Sequence, residues 1–227
     1  MAIEGAPQGW LSDYRAKGSG SNGDIGVLLV HGFTGSPASM RPFAHFLNEK
    51  GYQVSVPLIP GHASRWQDLN KVHWSSWAEK VEYELLELKK TCRKVFMVGL
   101  SMGGGNSLYV AAEHQDKVDG IVLVNPMIHI PGLQIKFVSI ISKIQKSRAS
   151  VGDDIKKPGV TEWGYDALPI KGVAQLYKYL KLARKREIGS SSKQRIELLN
   201  SYHVATLDYD ADIIFENTRL FIQERSK

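Results

Sequence analysis

Three short segments hold residue types that can do acyl-transfer chemistry. The first is Gly99-Leu100-Ser101-Met102-Gly103, which follows an apolar run and opens a stretch rich in small residues. A serine hydroxyl attacks a carbonyl only if it is presented on a sharp turn and relieved of its proton. A strand-to-helix turn does the presenting, glycines two residues to either side remove side chains that would clash there, and the helix dipole places its positive end under the hydroxyl. The second segment, His31-Gly32-Phe33-Thr34-Gly35, also follows an apolar run. A glycine-rich loop there can aim a backbone N–H at a developing oxyanion, paired with the N–H of the residue after the nucleophile, so the expected donors are Phe33 and Met102. The third is Ser201-Tyr202-His203-Val204, a loop in which His203 can reach Ser101 as general base. His31, His45, His62, His73, His114 and His129 compete for that role, but they fall in the glycine-rich loop, after a strand, on helices or in an insertion.

These segments need rigid elements behind them, and the hydrophobic periodicity supplies alternating strands and helices. Residues 25–30, 95–98 and 120–124 are continuous apolar runs suited to strands buried on both faces, and 52–58 alternates into another strand. Between them, Ser36 can cap a helix that starts at Pro37, carries Met40, Phe43 and Leu47 on one face and closes at Gly51. Trp77, Val81, Leu85 and Leu88 recur at helical spacing, and 101–114 reads as a helix of small residues. Apolar strands separated by helices imply parallel pairing through right-handed crossovers, hence an α/β fold with a mostly parallel sheet covered on both faces. After Asn125-Pro126, residues 127–166 interleave Ile128, Ile130, Leu133, Ile135, Val138, Ile141 and Ile144 with Lys136, Lys143, Lys146 and Arg148, as an inserted, partly helical cap would. The core is then 1–126 with 167–227. Its later part reads as a helix over 169–186, a short strand over 195–199, and a final helix over 208–224 with Ile213, Ile214, Leu220 and Phe221 on one face.

Composition narrows the class. At 227 residues, 43% hydrophobic and 23% charged, the chain fits one globular domain carrying an insertion, and disordered, collagen-like and coiled-coil balances are excluded. Apolar runs are strand-sized, far short of the roughly 20 residues a membrane span requires, and the N-terminus lacks a basic start and an apolar core segment, so a cytoplasmic protein is expected. A single cysteine, Cys92, excludes an intramolecular disulfide and a multi-Cys zinc site, and its spacing suits a small buried hydrophobe near a helix end. Much of the +6 charge lies in Lys171, Lys178, Lys181, Arg184, Lys185, Arg186, Lys193 and Arg195, beside one acid, Glu187. A solvated helical face is the simplest reading of that stretch, with nucleic-acid or anionic-surface binding as the alternative.

Residues 27–36, Ser39-Met40-Arg41-Pro42, 99–104 and 200–210 together resemble the bacterial carboxylesterase and monoacylglycerol lipase branch of the α/β-hydrolases, over a span from about residue 25 to the end. The resemblance implies an eight-stranded type of fold with a small cap, and hydrolysis of short- to medium-chain esters, monoacylglycerols included. It carries Ser101 as nucleophile, His203 as base, and Phe33 and Met102 as oxyanion donors. No metal or organic cofactor is implied. The partner is a small lipophilic ester; nucleic acid and an integral membrane segment are not expected, and a homodimer is allowed.

The resemblance breaks at one place. Such enzymes place a strand and a loop Asp between the cap's exit helix and the histidine, whereas residues 182–196 here hold neither an apolar strand nor an Asp. The chain thus reads as lacking one strand-helix unit before its last strand, which would pair beside 120–124. The mechanism asks for a carboxylate on the histidine nitrogen facing away from serine. Its identity is unknown: Glu187, Glu197, Asp208 and Asp210 are the substitutes, Asn125 stands where some relatives carry an acid, and no carboxylate at all is the remaining choice. Three readings follow for the whole chain: a serine ester hydrolase, an impaired relative kept as a binding module, or acyl transfer or another α/β-hydrolase chemistry. The cap has readings of its own, as a cover for the acyl chain, a structural flap or an amphipathic helix for a membrane surface.

Overall fold

The sheet begins earlier than the apolar runs suggest, with β1 (Tyr14–Ala16), a strand too short and polar to stand out in the sequence. The computed structural model describes residues 3, 5–150, 152–186, 189 and 193–227. Next come β2 (Ile25–Val30), a 3-10 turn (Pro37–Met40) running into α1 (Arg41–Glu49), and β3 (Gln53–Val56). Ser36 Oγ accepts from the Ala38 N–H, so the turn starts at the predicted cap, with Pro37 where its missing N–H costs nothing. The short α2 (Trp66–Leu69) and long α3 (Trp74–Lys89) lead to β4 (Lys94–Leu100), α4 (Met102–Glu113) and β5 (Gly120–Val124).

Strand order is β1-β3-β2-β4-β5, with β1 antiparallel and the rest parallel. Val27 registers with Val54 on one side and Phe96 on the other, and Val98 registers with Val122. Alternate residues face opposite layers, as the two-residue strand period requires. Val27, Leu29, Val54, Phe96 and Val98 pack with Phe43, Leu47, Phe215 and Ile222, while Leu28, Val30, Val95 and Met97 pack with Trp77, Val81, Leu85 and Tyr179. Cys92 is buried in this second layer just after α3.

Past β5 the chain forms a 3-10 turn (Leu133–Phe137), α5 (Val138–Ile144) and two strands, β6 (Ser147–Ala149) and β7 (Ala167–Pro169), paired antiparallel as a separate ribbon. Then follow α6 (Ile170–Ala183) and, after the histidine segment, α7 (Ala211–Arg225). No helix among the described residues is long and apolar enough to cross a membrane.

Two expectations are corrected here. Residues 195–199 form no strand, and among the described residues β5 is the last strand of the sheet, with Leu123 left partly exposed at its edge. The local reason is that Ile196 and Leu199 face solvent and Arg195 pairs with Glu197, so only Leu198 packs on the core. In α7 the inward stripe is Ile214, Phe215, Thr218 and Ile222, with Phe221 partly buried, whereas Ile213 and Leu220 are exposed. The buried stripe follows the four-residue recurrence, which leaves 213 and 220 on its flanks.

Candidate active site

Ser101 sits between β4 and α4 with φ 55° and ψ −118°, a backbone conformation that side chains other than glycine's rarely adopt. Two close approaches hold the turn this tight. A Cβ on Gly103 would lie 2.1 Å from the Val30 carbonyl oxygen, and one on Gly99 would lie 2.4 Å from the Gly103 carbonyl oxygen. The Ser101 N–H donates to the Val124 carbonyl at 3.0 Å, and its own carbonyl accepts from Gly104 at 3.0 Å and Met127 at 2.9 Å. The strain is thus fixed by β5, by α4 and by the first residue beyond Pro126.

His203 Nε2 lies 2.8 Å from Ser101 Oγ, although the two residues are 102 positions apart. With the ring proton on Nδ1, Nε2 accepts from the hydroxyl, the arrangement a general base requires. The histidine segment is anchored from several directions. Asn125, at the end of β5 with φ 41°, donates from Nδ2 to the His203 carbonyl at 2.9 Å. The Asp208 carboxylate accepts from the N–H groups of Tyr202 at 2.8 Å, Tyr209 at 2.8 Å, Lys156 at 2.7 Å and Lys157 at 3.0 Å. Burial pushes the Asp208 carboxyl up, but these four donors outweigh it and hold its pKa below the usual value. Asp210 accepts from the Asn200 N–H at 2.8 Å, and Val204 donates to the Asp154 carbonyl at 3.0 Å.

Behind the serine, the loop after β2 passes close enough that a Cβ on Gly32 would lie 3.3 Å from Ser101 Cβ. Among the described residues, neither the Phe33 N–H nor the Met102 N–H donates to another group, so both are free for an oxyanion. Two buried histidines brace this loop. His31 Nε2 accepts from the Ile59 N–H at 3.2 Å and its Nδ1 bonds the Gly32 carbonyl at 2.9 Å; His62 Nδ1 bonds the Ile59 carbonyl at 3.1 Å. Their ring centroids are 5.0 Å apart. Burial lowers the His31 pKa to about 4, and burial together with His31 lowers that of His62 to about 3, so both are neutral structural groups. The other histidines are also engaged elsewhere: His45 lies against Tyr14, His73 caps α3, His114 bonds Glu82 at 2.7 Å and His129 lies beside Arg184.

Sequence reasoning missed Asn125 as an anchor and Glu162 altogether. Glu162 packs on the loop after β2, where a Cβ on Gly35 would lie 2.9 Å from its Oε2, and its carbonyl accepts from Ser36 Oγ at 3.2 Å. Burial, with Asp153 and Asp154 nearby, raises its pKa to about 7. No motif marks Glu162; a carboxylate following Thr161 in an insertion looks like any surface acid.

Among the described residues no carboxylate bonds the His203 ring. Asp208 and Asp210 spend their oxygens on backbone N–H groups, and Glu197 is exposed and pairs with Arg195 at 3.2 Å. Glu187 lies outside the described residues.

A mostly parallel sheet covered on both faces, with a strained serine after an inner strand and a histidine reaching it from a late loop, defines a class of protein. The family model for the alpha/beta hydrolase fold matches residues 26–141, and the chain belongs to that family. It is 33% identical to the thermostable monoacylglycerol lipase of Bacillus sp. (strain H-257), over 90% of this chain and 93% of the relative. It is 23% identical to a carboxylesterase of Bacillus subtilis (strain 168), over 89% of this chain and 94% of the relative. Among solved structures, one reported for the metagenome-derived lipolytic enzymes LipS and LipT superposes with a TM-score of 0.88 at 29% identity, covering 95% of this chain and 98% of the other. The match to the lipase runs over 234 positions, more than the 90% of 227 residues that this chain contributes, so the lipase has residues inside the match that this chain lacks.

Proposed function

We propose that the chain is a serine carboxylic ester hydrolase that takes lipophilic short- to medium-chain acyl esters, monoacylglycerols included, through an acyl-enzyme on Ser101. The observation that carries this is the 2.8 Å contact between His203 Nε2 and an Oγ held on a strained elbow. The named activities of the lipase and carboxylesterase relatives favour esters over other acyl compounds.

The steps follow from the geometry. Ser101 Oγ attacks the ester carbonyl as His203 takes its proton, and the Phe33 and Met102 N–H groups stabilise the tetrahedral oxyanion. The imidazolium then protonates the leaving alkoxide, leaving the acyl group on Oγ. Water, deprotonated by the same ring, attacks the acyl-enzyme, and collapse returns the proton to Ser101. Residues 127–166 serve as the cap, over a core of 1–126 and 167–227, with Met127 and Ile130 on the apolar layer beneath. Asn125 and Asp208 hold His203 in place through its backbone. Without a carboxylate on the ring the reaction is slower, since losing the acid alone in a serine protease costs about 3 × 10⁴ in kcat. A homodimer is compatible with this chemistry and adds no residue to it. A cytoplasmic compartment is compatible with the free, buried Cys92 thiol.

The test is labelling with a fluorophosphonate followed by peptide mass mapping. The expected result is a single adduct on Ser101, absent in Ser101→Ala and slowed at least a hundredfold in His203→Ala. An unlabelled wild-type protein, or an adduct on another residue, overturns the reading.

A further inference from the structure

The loop that carries the Phe33 N–H is pinned on both sides of that donor. On the near side, the N–H belongs to the planar peptide whose Gly32 carbonyl is bonded by His31 Nδ1 at 2.9 Å, so the ring fixes the plane of the donor. On the far side, Thr34 has φ 64°, a left-handed conformation that a β-branched residue keeps only when its surroundings hold it there. Residues 162–165, which lead into β7, do the holding. Tyr165 donates its N–H to the Thr34 carbonyl at 3.3 Å, a Cβ on Gly164 would lie 3.3 Å from the same oxygen, and Ser36 Oγ donates to the Glu162 carbonyl at 3.2 Å.

This supporting segment is itself strained, because Trp163 has φ 50°. Its indole is met edge-on by that of Trp10, with ring centroids 5.9 Å apart and planes at 73°. Trp10 sits on a turn in which its N–H donates to the Pro7 carbonyl at 3.0 Å and the Ser12 N–H to the Gly9 carbonyl at 3.3 Å. Arg41, at the start of α1, clamps that turn: its buried guanidinium donates to the Gly9 and Ser12 carbonyls and lies over the Tyr14 ring, 4.3 Å from the centroid. Contacts thus run without a break from α1 through Trp10, Trp163 and Thr34 to the oxyanion donor. At the crossing of the two tryptophans neither residue lies in a helix or strand, so ring against ring joins the segments there.

We infer that Trp10 and Trp163 are positioning residues for the oxyanion hole: the N-terminal turn holds Trp163 in its strained conformation, and Trp163 in turn keeps residues 164–165 on Thr34. The inference rests on the hydrolase reading and deepens it, since it says what sets the aim of the Phe33 N–H. A donor stabilises a developing oxyanion only if it is aimed in advance, so a loop free to leave the left-handed conformation at Thr34 costs rate in the chemical step and leaves ground-state binding alone. One other route starts from the same rings. Trp10 and Trp163 also line a groove of about 460 Å³ whose lining includes Leu207 and Asp208, so an effect carried by the histidine segment is the rival that the test must separate.

The test uses the full-length protein in steady-state hydrolysis of p-nitrophenyl butyrate and in inhibition by butaneboronic acid, whose tetrahedral adduct on a serine Oγ draws on the oxyanion hole. Trp10→Ala is expected to lower kcat and to raise the inhibition constant of the boronate by about fivefold each, with KM unchanged. Trp163→Ala should lower kcat to a similar extent. The double variant should be about as slow as either single one, whereas independent effects would multiply to roughly twenty-five-fold. Trp10→Phe keeps an edge-on ring and should return kcat to within about twofold of wild type. Hydrogen exchange followed by mass spectrometry needs no turnover: Trp10→Ala should exchange faster at the Tyr165 amide and as slowly as wild type in β2 and β4, which shows the sheet intact. A wild type without turnover sinks the hydrolase reading, and exchange at Tyr165 then decides by itself whether Trp10 holds the loop. Multiplicative effects in the double variant, a change confined to KM, unaltered exchange at Tyr165, or faster exchange confined to residues 200–210 overturns the inference.

Discussion

His203 is held at the serine through its backbone more than through its ring. Asn125 Nδ2 reaches the His203 carbonyl at 2.9 Å from the end of β5. Asn125→Ala is therefore expected to lower kcat about tenfold with little change in KM, and a change confined to KM in steady-state hydrolysis would contradict a positioning role. Asp208→Asn removes a carboxylate that accepts four N–H groups, two of them from Lys156 and Lys157 outside the loop, and should cost about 2 kcal/mol in chemical denaturation as well as rate. The pairing of Ser101 with His203 was legible because each lies in a motif of a few residues. Asn125 and Glu162 were not, because their roles come from contacts with residues 78 and 126 positions away in the chain.

Elements were legible where a run of apolar side chains had to be buried. All six residues of β2 are buried, and Trp77, Val81 and Leu85 of α3 are all in the core, as their spacing predicts. Reading failed where burial depends on a neighbour. Residues 195–199 have the composition of a short strand but form none, and β5, apolar enough for a central strand, ends the sheet instead. The turn between β4 and α4 gives a sharp prediction at this scale. Gly103→Ala puts a Cβ within 2.1 Å of the Val30 carbonyl, so β2 and α4 must part. We expect a loss of about 3 kcal/mol or more in urea unfolding. An alanine variant as stable as the wild type would mean that the two elements do not meet so closely.

For the whole molecule, buried ionisable groups set the response to pH. His31 and His62 have folded pKa values of about 4 and about 3, below the ordinary 6.5, so the unfolded chain binds their protons first as pH falls. Their contribution to stability is lost progressively below about pH 6.5, on the order of 3 kcal/mol each by about pH 3. Glu162 acts in the opposite sense. Its folded pKa of about 7 lies above the ordinary 4.5, so its contribution is full below pH 4.5 and is lost as pH rises to about 7. Glu162→Gln should therefore be more stable than wild type at pH 8 and should lose stability more steeply between pH 6.5 and 4.5. Parallel stability profiles of the two proteins would show that Glu162 is not held protonated by its surroundings.

Hydrolysis of p-nitrophenyl butyrate by protein of verified intact mass, with Ser101→Ala and His203→Ala alongside, tests the central claim most directly. The account predicts measurable turnover that falls to background in Ser101→Ala and drops at least a thousandfold in His203→Ala. Turnover equal in all three proteins, or a wild type no faster than Ser101→Ala, would contradict it.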